Sequence, residues 1–382
     1  MIAVILPEVF RTDVAHRGGR WTGGMWRNVQ GLRGIAVLLI LFIHAYYFSS
    51  EFAPLPWLRH LAPIGACGVD LFFVISGTIM VTAHWNDFGK RGTSLQFLMR
   101  RWARIYPLYW IVTLTVAAGL TLEPSLRSHW LGTGAALVPS LLLLPQSGGT
   151  PLLFAGWTLL YEMYFYYLFA AALRLRRRPA AMICASVGFG FAAVQLVPRA
   201  LATPVGGFFL RNVMLEFFLG VVVGALVRNE RFVAPRSITM LGVAGVVASN
   251  WFIVRVLHGV WHDVEAFHYA VLGVPMAALV YGAVGLERMR GAVLPRVVRA
   301  LGDASYSIYL WPRRSISHSA QSCWHCGRIS CSRRRGSHGL GAARDRHLAR
   351  TLPPHRAAIV ARLQRPVATL VLCALTPADR FG

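Results

Sequence analysis

Acidic residues are scarce in this chain: 15 Asp and Glu stand against 39 Lys and Arg, and only 14% of the 382 residues are charged. With 55% hydrophobic residues and a mean hydropathy of +0.51, an ordinary soluble enzyme is excluded. Cysteine is sparse as well. Of the six, Cys67 and Cys184 lie in or beside apolar runs and four lie beyond residue 312, which is no secreted disulfide framework. A signal-peptide pattern is missing, because Met1–Phe10 is short, lacks a basic start and contains Pro7 and Glu8. Met25, just before the first apolar run, is an expected functional start.

What is present is a series of nearly charge-free windows of about 17 residues or more, the length a helix needs to cross a hydrocarbon layer of roughly 30 Å. Spans are expected at 34–50, 67–84, 105–122, 157–173, 180–198, 206–227, 237–257 and 268–286, with a ninth beginning near 302. Gly134–Leu144 is too short to cross and ends at Pro145, so it reads as a re-entrant or interfacial segment. The fold class is therefore all-α: a polytopic transmembrane helical bundle of about nine to ten spans with one short re-entrant piece.

Charge tests that arrangement. With the N-terminus inside, the inner loops collect the basic clusters Lys90–Arg104, Arg174–Arg178, Arg228–Arg236 and Arg288–Arg299. The outer loops hold only Arg59, Arg127, Arg199 and Arg255. Cytoplasmic loops carry the excess of arginine and lysine, so this asymmetry supports the topology. Counting 134–144 as a full span would throw Arg174–Arg178 outside. The net charge of +24 is spread over short loops and a tail, which argues against a nucleic-acid partner.

Several polar residues sit where lipid would not tolerate them. Arg33 and His44 bracket the first span, and eleven residues at about 100° each make three turns plus roughly 20°, so both project from one face. The rise of about 16 Å puts Arg33 at the inner edge and His44 near the bilayer middle. Such a histidine either packs against a neighbouring helix or serves as a titrating group facing protein or water. Asp70, Glu162 and Glu216 lie in the second, fourth and sixth spans. They read either as functional carboxylates or as interhelical hydrogen-bonding groups. Arg100, Arg101 and Arg104 fall within about one helical turn beside the third span. They either orient the protein or hold phosphates, which guanidinium forks match. Trp157 and the tyrosines at 161, 164, 166 and 167 form an interfacial aromatic belt or a sugar platform.

Five stretches in order resemble the membrane acyltransferase-3 family, whose members O-acylate surface polysaccharides, lipopolysaccharide and peptidoglycan. They are Gly31-Leu32-Arg33-Gly34-Ile35-Ala36 with His44 after it, Gly68–Gly77, Phe97–Trp110, Trp157–Tyr166 and Leu301–Trp311. The Trp-Thr-Leu-x-Tyr-Glu-Met-x-Phe-Tyr form of the fourth looks most like exopolysaccharide O-acetylases. The resemblance implies a membrane domain over 28–312, preceded by a cytoplasmic segment 1–27. It implies acetyl-CoA as donor and a hydroxyl of a surface glycan or lipid-linked saccharide as acceptor, at a bacterial inner membrane with the N-terminus cytoplasmic. His44, Arg33 and Glu162 would be catalytic, His44 as base or acyl carrier, and Arg100, Arg101 and Arg104 would engage the CoA phosphates or organise the inner entrance. Asp70, Trp157, Tyr161, Ser305 and Tyr306 would meet the substrate. Membrane lipids are expected partners; a metal is not expected.

Past Trp311 the pattern breaks. Residues 313–382 contain 13 arginines, four cysteines and five histidines against two acids, with no run able to span. A half-built ninth span passing into such sequence reads as translation in a shifted frame. Two other readings are a zinc site on Cys323, Cys326, Cys331 and His338, whose spacing matches no common finger, and a basic tail on anionic lipid. The rival function class is a transporter or non-catalytic membrane protein. Paired Gly/Pro-broken spans in two matching halves, which would favour a transporter, are not evident.

Overall fold

The computed structural model describes residues 26–52, 62–122, 136–146, 151–153, 155–195, 208–209, 211, 213–228, 232–255, 269–291 and 294–310. The expectations for 1–25 and for the tail 313–382 fall outside them. All described residues belong to the first of two units, Met1–Gly327.

Among the described residues the regular structure is helical throughout. The helices are α1 (Arg27–Phe52), α2 (Ala62–Ala83), α3 (Thr93–Leu122), the short α4 (Leu137–Leu141), α5 (Gly156–Leu173), α6 (Arg177–Val194), α7 (Val213–Arg228) and α8 (Pro235–Arg255). A π-helical turn, Tyr269–Gly273, runs into α9 (Val274–Arg290), followed by α10 (Arg296–Asp303) and α11 (Ser305–Leu310). Among the described residues, five stretches are long and apolar enough to cross a membrane: Arg27–His44, Ile64–Ala83, Thr93–Leu122, Pro235–Arg255 and Ala270–Arg290. Their outward faces are apolar. Ile111 and Leu114 on α3, and Met240, Leu241, Val247 and Trp251 on α8, are all exposed, as a lipid-facing surface requires.

Helices α2 and α7 form the middle of the bundle. One side of the pair contributes Phe73 and Phe217 to a core shared with α3 and α5. The other side contributes Leu71, Val74 and Val223 to a core shared with α1, α8 and α9. The pair itself meets backbone to backbone: a Cβ at Gly77 would run into the Phe217 carbonyl, and one at Gly220 into the Val74 carbonyl. Small residues permit this approach in a bilayer, where lipid is as apolar as leucine and close packing supplies the attraction. Thr78 adds a hydroxyl bond to the Gly220 carbonyl at 3.1 Å.

A second such crossing joins two distant motifs. At Gly34 of α1 a Cβ would strike the Val298 carbonyl, and at Gly302 of α10 it would strike the Gln30 carbonyl. The first and last family-like stretches are therefore one packing unit.

Helices α1 and α3 start earlier than hydropathy suggests. The first two amides of α1, on Arg27 and Asn28, donate to Glu287 Oε1 and Oε2 at 2.8 and 2.7 Å. A carboxylate at a helix N-terminus satisfies orphan amides and meets the positive end of the helix dipole. Helix α3 begins at Thr93, so Arg100–Arg104 lie within it.

Among its described residues, the segment expected to be re-entrant holds the five-residue helix α4, about 7.5 Å long and unable to cross. Its carbonyls are claimed by α3. Tyr109 Oη donates to Ser140 O at 2.7 Å, Trp110 Nε1 to Leu141 O at 2.9 Å and Tyr106 Oη to Leu142 O at 3.2 Å. Non-helical backbone at membrane depth needs such protein partners.

Candidate active site

Five helices enclose a cavity of about 100 Å³ lined on its polar side by Arg33 of α1, Arg101 and Arg104 of α3, Glu162 and Tyr166 of α5, and Ser305 of α11. Phe72, Phe73, Ile79 and Met80 of α2 supply apolar lining, beside Ser76 of the same helix.

Arg33 is held from two directions. Its Nη1 donates to Gln30 Oε1 at 3.1 Å, one turn earlier, and its Nη2 donates to Ser305 Oγ at 3.0 Å. Gln30 Nε2 in turn donates to Asp303 Oδ1. Arg104 repels the Arg33 charge, while Glu162 and Asp303 attract it. A buried guanidinium is costly in a membrane protein unless carboxylates and acceptors surround it. The Gly34–Gly302 crossing is what brings Ser305 and Asp303 to it.

Arg101 and Arg104 are about 60° apart around α3, which lets both point into the cavity. Arg100, on the other flank of Arg104, is exposed and off the cavity. The Arg101 guanidinium lies 5.5 Å over the rings of both Phe97 and Tyr166, a cation–π arrangement that fixes its direction. On α5, Tyr166 donates to Glu162 Oε1, one turn earlier. Tyr306 Oη reaches the Ile105 carbonyl of α3 at 2.7 Å, and Tyr309 shares a 2.6 Å bond with Thr158. These two bonds fasten α11 across the cavity.

Of the residues expected at the site, Arg33, Arg101, Arg104, Glu162, Ser305 and Tyr306 come together here. His44 does not line this cavity; Ile40, one turn earlier, does. His44 Nδ1 lies 2.6 Å from the Ile40 carbonyl. A carbonyl only accepts, so Nδ1 is the donor in this contact. Asp70 is buried beside Glu216 of α7 instead. Tyr161 stacks on Phe208 at 5.1 Å, and Trp157 packs edge-on against Tyr161 at 6.3 Å; neither lines the cavity.

Thr158, Tyr166 and Tyr309 line the cavity as well, beyond the site residues expected from the sequence. A signal for the first two exists, since 158, 162 and 166 repeat every four residues and share one helix face. Among the described residues no group of three or more His, Cys, Asp or Glu could hold a metal.

A family model for the acyltransferase domain, acyltransferase-3, matches residues 26–311. This chain belongs to the acyltransferase-3 family. It is similar to exopolysaccharide production protein ExoZ of Rhizobium meliloti (strain 1021), 35% identical over 282 residues, covering 69% of this chain and 80% of that protein. Acyltransferase MdmB of Streptomyces mycarofaciens is 27% identical over 317 residues, covering 74% and 77%. Protein 2 in the picA locus of Rhizobium radiobacter is 30% identical over 161 residues, covering 37% and 79%. No solved structure matches the chain. Family and helices together make this acyltransferase-3 protein a multi-pass membrane acyltransferase. The matched region ends at residue 311, where the family-like sequence stops.

Proposed function

We propose that this protein transfers an acetyl group from acetyl-CoA to a hydroxyl of an exopolysaccharide or related surface glycan, at a bacterial inner membrane with its N-terminus cytoplasmic. The observation that carries the proposal is the cavity in which Arg33, Arg101, Arg104 and Glu162 meet inside the helical bundle. Its volume of about 100 Å³ suits a short acyl group. The similarity to the exopolysaccharide production protein supports the acceptor.

A glycan hydroxyl is a weak nucleophile, so its proton must leave as its oxygen bonds to the acyl carbon. His44 Nε2 is the proposed base, one helical turn beyond Ile40 of the cavity lining. Glu162, oriented by Tyr166, stabilises the cationic imidazole that results. Arg33 faces the thioester oxygen as negative charge grows there, which is worth most where water is excluded. The carbon–sulfur bond then breaks, and the sulfur takes up the proton carried by His44. Arg101 and Arg104 hold the donor at its thioester end.

Membranes carrying the protein should incorporate label from acetyl-CoA into extracted surface polysaccharide. Movement of unmodified glycan across vesicles, with no label incorporated, would instead favour a transporter.

A further inference from the structure

A second, more open pocket of about 370 Å³ is lined by Arg27 of α1, by Arg296, Arg299 and Ala300 of α10, and by Asp303. Nothing in the proposed chemistry uses it. Three guanidiniums face one carboxylate there, and that carboxylate already accepts from Gln30. Among the described residues none of the three arginines has a carboxylate within ion-pairing distance. The Nε of Arg299 is moreover buried with no hydrogen-bond partner among them. Three guanidiniums against a single carboxylate leave an excess of positive charge around this open pocket, which an anion would balance. Clustered arginines match phosphate oxygens with pairs of parallel donors.

The pocket also has a wired route to the active cavity. Asp303 bonds Gln30, Gln30 bonds Arg33, and Arg33 lines the cavity. Along α1, Arg27 and Arg33 are separated by a rise of about 9 Å, which an extended pantetheine arm covers. We propose that Arg27, Arg296 and Arg299 bind the phosphates of the nucleotide end of acyl-CoA, while Arg101 and Arg104 serve the thioester end. The proposal rests on the acyl-CoA donor argued above and adds a second, separate anchoring site. The shared chemistry is a phosphate ester, which an anionic lipid headgroup also carries.

The test uses the full-length protein in nanodiscs of neutral phosphatidylcholine, with CoA binding measured calorimetrically. Wild-type protein should bind CoA, and the double variant Arg296→Gln/Arg299→Gln should bind it at least tenfold more weakly. Arg299→Lys should recover part of the loss, and dephospho-CoA should bind wild type more weakly than CoA. Arg296 is exposed, so R296Q alone carries the test if the double variant does not purify. Unchanged CoA affinity in the variants would overturn the site while leaving the donor intact. Absence of CoA binding by wild type would remove the donor itself. A third arm repeats the measurement with phosphatidylglycerol. Variants that lose binding of the anionic lipid yet keep that of CoA would make a headgroup the occupant and overturn the proposal.

Discussion

Tyr166 gives its hydroxyl hydrogen to Glu162, one turn before it on α5, and offers its ring face to Arg101 at 5.5 Å. One side chain thus positions both a carboxylate and a cation of the cavity. Tyr166→Phe removes the hydroxyl and keeps the ring. A hydrogen bond to a charged group contributes about 1.5–3 kcal/mol, so acetyl transfer should fall roughly ten- to a hundredfold with the protein still inserted. Tyr166→Leu, which loses the ring as well, should fall further. Rates on isolated membranes check this, and equal rates for Phe and wild type would remove Tyr166 from its positioning role.

The α1–α10 crossing predicts a contrast between two glycine substitutions. Gly34→Ala drives a methyl into the Val298 carbonyl, backbone that cannot yield without separating the helices. Overpacking of this kind costs about 1–3 kcal/mol or more, and it would displace Ser305 from Arg33. At Gly119 of α3 a Cβ would meet nothing within 4 Å, so Gly119→Ala should be neutral or stabilise by about 0.5–1 kcal/mol. Thermal unfolding in detergent distinguishes them; similar midpoints for both variants would contradict the packing.

Ser140 is fully buried, and its Oγ accepts from the Leu152 amide at 2.9 Å and from Gln146 Nε2 at 3.1 Å. Ser140→Ala strands that buried amide, at about 1–3 kcal/mol. Tyr106→Phe loses a 3.2 Å bond that is exposed and should cost less. The order of the two in a denaturant or thermal series is the check, and the reverse order would contradict the anchoring of α4.

Much of this arrangement is legible in the sequence, for reasons of scale. Spans show up because an apolar run must be long to cross lipid, and the polar residues inside them are few enough to name. Arg33, Arg101, Arg104 and Glu162 stand out on those grounds and do share a cavity. Long-range pairings leave no local trace. The true start of α1 depends on Glu287, 260 positions along the chain. Asp70 lies against Glu216 rather than the cavity because α2 and α7 meet at Gly77 and Gly220. Tyr161 is held by Phe208, a partner no window around residue 161 contains. Conversely, Thr158 and Tyr166 are readable from the four-residue repeat around Glu162.

The central claim is that acyl transfer runs between the arginines of this cavity and the imidazole one turn beyond it on α1. The direct measurement is transfer of labelled acetyl from acetyl-CoA into surface polysaccharide by membranes containing wild type, Arg33→Gln, Glu162→Gln or His44→Ala at matched protein levels. Loss of at least about a hundredfold is expected for each, in line with removal of a general base or of a charge-stabilising group. Full transfer by His44→Ala would take the base away from α1, and full transfer by Arg33→Gln or Glu162→Gln would contradict catalysis in this cavity.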